Sequence, residues 1–212
     1  MDIEAEKRVA AEAAALLVED KMKVGLGTGS TVHYLLPALA GRGLSIRCVA
    51  TSPRTEDAAR GLGIEVEPFE ALDALDMTID GADQIAPDGW LVKGGGAAHT
   101  REKIVAAAAS TFVVIADSTK PVAALEAPIP LELMEFGLAS TLDRLGAVKL
   151  RDLARSPDNG VIADYMGPVG DPAALAARLG ATPGVVAHGL FPAEMVAVIL
   201  VGEGDTVERR DL

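Results

Sequence analysis

Three glycine-bearing segments constrain this chain most, because each directly follows a short apolar run. They are Gly25-Leu26-Gly27-Thr28-Gly29-Ser30-Thr31, Asp80-Gly81-Ala82-Asp83 and Lys93-Gly94-Gly95-Gly96. Glycine loses the most backbone freedom on folding, so such runs persist where the chain must turn sharply or approach something closely. Around them, apolar runs alternate with helical patterns. Residues 3–18 carry Ile3, Val9, Ala13, Leu16 and Leu17 near a 3.6 period, with Asp2 placed as the N-cap. Residues 23–26 read as a strand, and a helix runs from the first glycine loop to Leu39, closed by Gly41 and Gly43. Residues 45–50 and 64–67 read as strands around a helix at 54–62. Further strands are expected at 77–79, 90–92 and 111–116, and a helix at 100–109. This alternation predicts a parallel sheet with helices on both faces. All three glycine loops then follow strands of one sheet and meet at its carboxyl edge, where such sheets bind ligands.

The texture changes near Pro121, where Pro121, Pro128 and Pro130 exclude a long helix. From there the order reads strand 131–136, helix 138–145, strand 147–151, strand 161–166, helix 172–179 and strand 185–190. That is the β-α-β-β-α-β order of a ferredoxin-like unit. An apolar strand at 195–201 is expected to rejoin the first sheet. The fold class is therefore α/β: a larger parallel-sheet domain, 1–127 plus 193–212, with a smaller ferredoxin-like α+β domain, 128–192, inserted near the C-terminus.

Composition narrows the function. The 212 residues are 50% hydrophobic but only 3% aromatic, so the core is aliphatic and stacking platforms are scarce. Nineteen Lys and Arg against 31 Asp and Glu give a net charge of −12, which argues against nucleic acid as a partner. No apolar run approaches the roughly 18 residues that a membrane span needs. Asp2, Glu4 and Glu6 stand where a secretory leader would carry basic residues, so the reading expects no leader and a cytoplasmic protein. The single cysteine, Cys48, reads as a small buried hydrophobe.

Each loop has a chemical reading beside a structural one. In the first, glycine amides with Ser30 and Thr31 at a helix N-terminus suit a phosphate; an ordinary tight turn is the alternative. In the second, Asp80 and Asp83 flank a glycine turn at a strand end; the alternatives are an Asx turn or a divalent metal site. His33, His99 and His188 are too scattered for metal-ligand spacing, and His33 and His188 read as structural. In the third, Lys93 beside free amides makes an oxyanion site. Thr100 then caps a helix that carries Glu102 in its first turn. Glu102 is either a base at the crevice or a surface acid favoured by the helix dipole. Together the loops offer a phosphate cradle, two acids, a lysine with amide donors and one acid able to act as a base. That set suits proton abstraction beside the carbonyl of a sugar phosphate.

Gly-Thr-Gly-Ser-Thr, Asp-Gly-Ala-Asp and Lys-Gly-Gly-Gly through Thr100-Arg101-Glu102-Lys103, in this order and spacing, resemble the type A ribose-5-phosphate isomerases. So do Asp117-Ser118-Thr119-Lys120, Pro183-Gly184-Val185-Val186 and Gly189-Leu190-Phe191. The resemblance covers nearly the whole chain. It implies a Rossmann-like domain with a ferredoxin-like second domain and interconversion of ribose 5-phosphate and ribulose 5-phosphate in the pentose phosphate pathway. It implies no metal or organic cofactor, and a homodimer or homotetramer. By the resemblance Thr28, Gly29, Ser30 and Thr31 bind substrate, Asp80, Gly81, Ala82 and Asp83 with Lys93, Gly94, Gly95 and Gly96 line the reacting end, Glu102 accepts the proton, and Lys120 adds a substrate contact. Lys7 is a further candidate for the phosphate. The chain departs from the family pattern at Gln84, at His99, in the stretch Thr51-Ser52-Pro53-Arg54-Thr55 and in the short segment 155–160. A related sugar-phosphate deaminase or lactonase, or a non-catalytic sugar-phosphate-binding module, are the alternatives; substrate profiling separates the first two from an isomerase.

Overall fold

The computed structural model describes residues 2–72 and 74–212. In chain order the elements are α1 (Ile3–Ala15), β1 (Lys23–Leu26), α2 (Ser30–Gly41), β2 (Arg47–Ala50), α3 (Pro53–Gly61), β3 (Leu75–Gly81), β4 (Gln84–Ile85), β5 (Leu91–Val92), α4 (His99–Ala107) and β6 (Ala109–Asp117). They continue with β7 (Ile129–Leu133), α5 (Leu138–Leu145), β8 (Val148–Leu150), β9 (Val161–Tyr165), α6 (Pro172–Gly180), β10 (Val185–His188), β11 (Leu190–Phe191), β12 (Val198–Glu203) and β13 (Thr206–Asp211). Caps set several starts: Asp2 accepts from the Ala5 amide, Ser52 from Thr55, and Asp171 from Ala173 and Ala174.

The chain divides into two compact units. The first holds residues 2–72, 74–82, 101–120 and 194–212, the second 83–100 and 121–193. In the first, a six-stranded sheet runs in the order β13-β12-β6-β3-β1-β2, parallel throughout except for β13. Helix α1 lies close to the sheet because its inner face is small: Ala10, Ala11 and Ala14 are fully buried beside Val113, Ile115 and Leu200. The approach is tight enough that a side chain at Gly202 would stand 2.0 Å from the Glu6 carbonyl. In the second unit, an antiparallel sheet of order β10-β7-β9-β8 packs Ile129, Leu131, Leu133 and Ala163 with Leu145, Leu175 and Leu179 of α5 and α6. This is the ferredoxin-like order read from the sequence.

Four expectations change. Residues 64–67 form no strand; only Val66 bridges Cys48. The strand expected at 185–190 is two, because Gly189 breaks it, sitting where any side chain would meet the Lys93 carbonyl at 2.1 Å. The strand before Lys93 is not in the large sheet: β5 pairs with β4 and β11 in a small sheet of the second unit. Strand β13 was not anticipated; it returns from β12 through Gly204, whose φ is +61°.

Cys48 lies inside the first core, fully buried, and burial with nearby Glu65 and Glu67 pushes its thiol up to about 12. At pH 8 only about one thiol in ten thousand would then be ionised. A thiol-reactive disulfide dye is expected to give no colour with the native protein and one equivalent in denaturant. Rapid native labelling would place Cys48 outside the core.

Candidate active site

The first glycine loop leaves the end of β1 under close constraint. A side chain at Gly27 would stand 2.0 Å from the Asp80 carboxylate, so only glycine fits. At Gly25 it would stand 2.5 Å from Val105, so glycine there also admits α4 against β1. Asp80, at the end of β3 and 1% exposed, accepts from the amides of Thr28 (3.1 Å) and Gly81 (2.7 Å) through one oxygen. The Thr28 hydroxyl turns inward to Thr51, Ser52 and Thr55, at 2.8, 2.8 and 3.1 Å. Thr55 closes the cluster on the Gly27 carbonyl at 3.0 Å. The segment 51–55, a departure from the family pattern, thus supplies the hydroxyls that brace the loop. Gly29 caps α2 with φ +152°, and Ser30 stands exposed in its first turn, where amides and dipole favour an anion.

Glu102 lies in the first turn of α4 and is 3% exposed, so it is not the solvated surface acid of the alternative reading. Its neighbour Lys103 is half-buried, and burial pushes the ammonium down from 10.5 to about 8. After β6, the fully buried Asp117 accepts from the amide and hydroxyl of Thr119 and so shapes the turn that presents Lys120. Glu6 of α1 clamps the same turn: its carboxylate accepts from the Ser118 amide (3.1 Å), the Ser118 hydroxyl (2.6 Å) and the Gly204 amide (3.2 Å). The Ser118 hydroxyl is the main reason Glu6 stays below the usual carboxylate range. Lys7 pairs with Glu4 at 2.7 Å, and Glu4 also accepts from Tyr34 in α2. That ties Lys7 to the N-terminal part of α2.

In the second unit, Asp83 is exposed and accepts from the Gly95 amide at 2.7 Å. Lys93 is 2% exposed; its amide donates to the Gly189 carbonyl and its ammonium lies 5.5 Å from the Phe191 ring centre. Gly94 takes φ +110° against His99 and Pro130, leaving no room for a Cβ. The histidine that departs from the family pattern is therefore a fully buried wall of this turn. Gln84, a further departure, donates to the Glu126 carbonyl and accepts from its amide, both at 2.8 Å; a carboxylate could not do both. Among the described residues, no group of three or more His, Cys, Asp or Glu is placed to hold a metal ion, and no helix is long and apolar enough to cross a membrane.

Two charged anchors of this turn were missed. Arg151 donates to the carbonyls of Gly94 and Gly95, and Glu132 accepts from Thr100 and Ser156 while only 2% exposed. In sequence both resemble solvated charges: the alternation of Ile129, Leu131 and Leu133 puts Glu132 on the opposite face of β7, and no sequence signal marks that face as covered.

The model of the family described as ribose 5-phosphate isomerase A (phosphoriboisomerase A) matches residues 47–206. The ribose-5-phosphate isomerase A of Caulobacter sp. (strain K31) is 44% identical over 206 residues, covering 90% of this chain and 91% of that protein. Among solved structures, ribose 5 phosphate isomerase A from Neisseria gonorrhoeae superposes with TM-score 0.92 at 31% identity, covering 97% of this chain and 95% of that one. A D-ribose-5-phosphate isomerase in complex with phospho-erythronic acid gives TM-score 0.94 at 31% identity over the whole of both chains.

The depressed Lys103 has a measurable consequence. Its folded pKa lies below the unfolded one, so the unfolded chain binds more protons between pH about 8 and 10.5. Its contribution therefore opposes folding below pH 8 and is relieved as pH rises through that window. Urea unfolding of Lys103→Met beside the parent is expected to show the variant relatively more stable at pH 7 than at pH 10. A stability difference that does not change with pH would refute the depressed value.

Proposed function

The chain belongs to the ribose 5-phosphate isomerase A family, and from that membership we infer that it is an aldose–ketose isomerase interconverting D-ribose 5-phosphate and D-ribulose 5-phosphate. The observation that carries the chemistry is a buried glutamate in the first turn of α4, held on an element that packs beside the first glycine loop. We place the reaction in the non-oxidative branch of the pentose phosphate pathway, in the cytoplasm, with the chain acting as a homodimer or homotetramer. Light scattering on the purified protein reads the last point directly.

The residue roles follow from their surroundings. The phosphate goes to the amides of Gly29 and Ser30 with the Ser30 and Thr31 hydroxyls, and Lys7 and Lys120 add positive charge. One oxygen of Asp80 accepts from the Thr28 and Gly81 amides and so shapes Gly81 and Ala82, and Asp80 stands beside Asp83 as a candidate to move the ring-opening proton. Exposed Asp83, or Asp80, takes the proton of the C1 hydroxyl and delivers it to the ring oxygen O4 as the C1–O4 bond breaks, which leaves the open-chain aldehyde. Glu102 removes the proton from C2, and that electron pair forms the C1–C2 double bond as the aldehyde pair moves onto O1. Lys93 and amides of Gly94, Gly95 and Gly96 stabilise the enediolate. The O2 proton passes to O1, Glu102 delivers its proton to C1, and O2 becomes the ketone oxygen. General base catalysis contributes roughly 10²–10⁴ and a preorganised oxyanion donor about 10²–10³. Phosphate anchoring adds proximity. Phospho-erythronic acid, whose carboxylate replaces the two enediolate oxygens, is expected to inhibit competitively.

Glu102→Gln is expected to lower kcat by at least about 10² while ribose 5-phosphate still binds. Near-normal ketopentose formation by that variant would remove Glu102 from the role of base. Prolonged EDTA treatment is expected to leave kcat unchanged; loss restored by a divalent ion would overturn the metal-free mechanism.

A further inference from the structure

Arg151 directly follows β8 in the second unit and reaches back to the glycine turn. Its guanidinium donates to the carbonyls of Gly94 at 2.9 Å and Gly95 at 3.1 Å. Its other edge meets both oxygens of Asp164 at 2.8 and 2.7 Å, and the two side chains are only 16% and 14% exposed. Withdrawing an ion pair from water gives little net stability, so this pair calls for a purpose beyond holding the sheet together. What it adds is orientation. In a trans peptide the carbonyl and the next amide point in opposite directions. With the Gly94 carbonyl on Arg151, the Gly95 amide points away from it, to Asp83 at 2.7 Å. With the Gly95 carbonyl on Arg151, the Gly96 amide also points away, and it has no partner among the described residues. One side chain therefore bears on two successive peptide planes, sharing the Gly94 carbonyl with the Ala97 amide at 3.0 Å and holding the Gly95 carbonyl itself. Glycine is needed for this at Gly94, whose φ of +110° few side chains adopt.

We propose that Arg151, held by Asp164, is a positioning residue of the isomerisation: it fixes the Gly94–Gly95 and Gly95–Gly96 peptides so that the Gly96 amide donates to the enediolate oxygen and the Gly95 amide steadies Asp83. The inference rests on the isomerase reading and deepens it. It assigns the oxyanion site a charged support that touches neither substrate nor reacting atoms. Such a support acts on the transition state more than on the bound sugar phosphate, because the enediolate charge exists only there.

The test compares Arg151→Met, Arg151→Lys and Asp164→Asn with the parent and Glu102→Gln in the full chain. It measures kcat and KM for ribose 5-phosphate, inhibition by phospho-erythronic acid and by inorganic phosphate, and Tm. Arg151→Met is expected to lower kcat about 10²-fold and to weaken phospho-erythronic acid by a similar factor. KM and phosphate inhibition should stay within about threefold. Arg151→Lys, with one charge but no fork, should recover part of the loss, and Asp164→Asn should fall between. If Arg151→Met does not fold, the other two variants carry the same comparison. Retention of kcat and acid inhibition by the variants overturns the proposal. So does a parallel loss of acid and phosphate binding that tracks Tm, since a purely structural support would act that way. A parent protein without ribose 5-phosphate isomerisation overturns the isomerase reading itself; an active parent with inactive Glu102→Gln and unaffected Arg151 variants overturns this proposal alone.

Discussion

The packing of Gly27 against the Asp80 carboxylate sets the form of the sheet edge where the first glycine loop and the Gly81 turn emerge. β1 and β3 are parallel neighbours, with Leu26 level with Ile79, so the next residues of both strands emerge together. A carboxylate at 80 fits there because residue 27 has no side chain, and it is held because two amides converge on it. A buried carboxylate without donors would cost several kcal/mol. With them it becomes a rigid post around which the Thr28 turn and the Gly81 turn are both wound. The hydroxyl cluster of Thr28, Thr51, Ser52 and Thr55 braces the same turn from β2 and α3. That cluster shows how the stretch 51–55, which departs from the family pattern, keeps the loop in place.

The same solution recurs. Glu6, Asp117 and Glu132 are all nearly inaccessible, and each is met by hydroxyl or amide donors rather than by a cation. Each fastens a loop that carries candidate chemistry: Glu6 and Asp117 the turn before Lys120, Glu132 the start of α4 at Thr100. Neutral donors do this without adding further positive charge to these loops. Arg151 is the exception, and there the carboxylate of Asp164 balances it.

The glycine loops were legible because their physical cause is local: three adjacent glycines are intelligible only as close backbone approach. The end of α1 at Ala15 and the exact extent of β7 were less so, since fraying ends and strand edges depend on packing. The β5–β11 pairing joins residues about a hundred positions apart, and two-residue strands carry no periodicity, so the small sheet was invisible. β13 was missed because its sequence, Thr-Val-Glu-Arg-Arg-Asp, is polar on an edge strand that has one neighbour. Glu102 shows the converse limit. Flanked by Arg101 and Lys103 it reads as surface, and burial of the helix start decides otherwise.

The net charge of −12 is compatible with an anionic substrate once the range of the forces is considered. At physiological ionic strength, charges beyond roughly 8 Å are largely screened, so the bulk of the acidic surface acts weakly on a bound phosphate. In the proposed site a phosphate meets short-range partners, the amides and hydroxyls at the start of α2, which the fold has already oriented. Preorganisation matters more than net charge because donors already fixed need no reorganisation when charge develops. The buried carboxylates fit this picture: rather than acting on an anion from a distance, they hold the backbone of the loops whose amides are proposed to bind it.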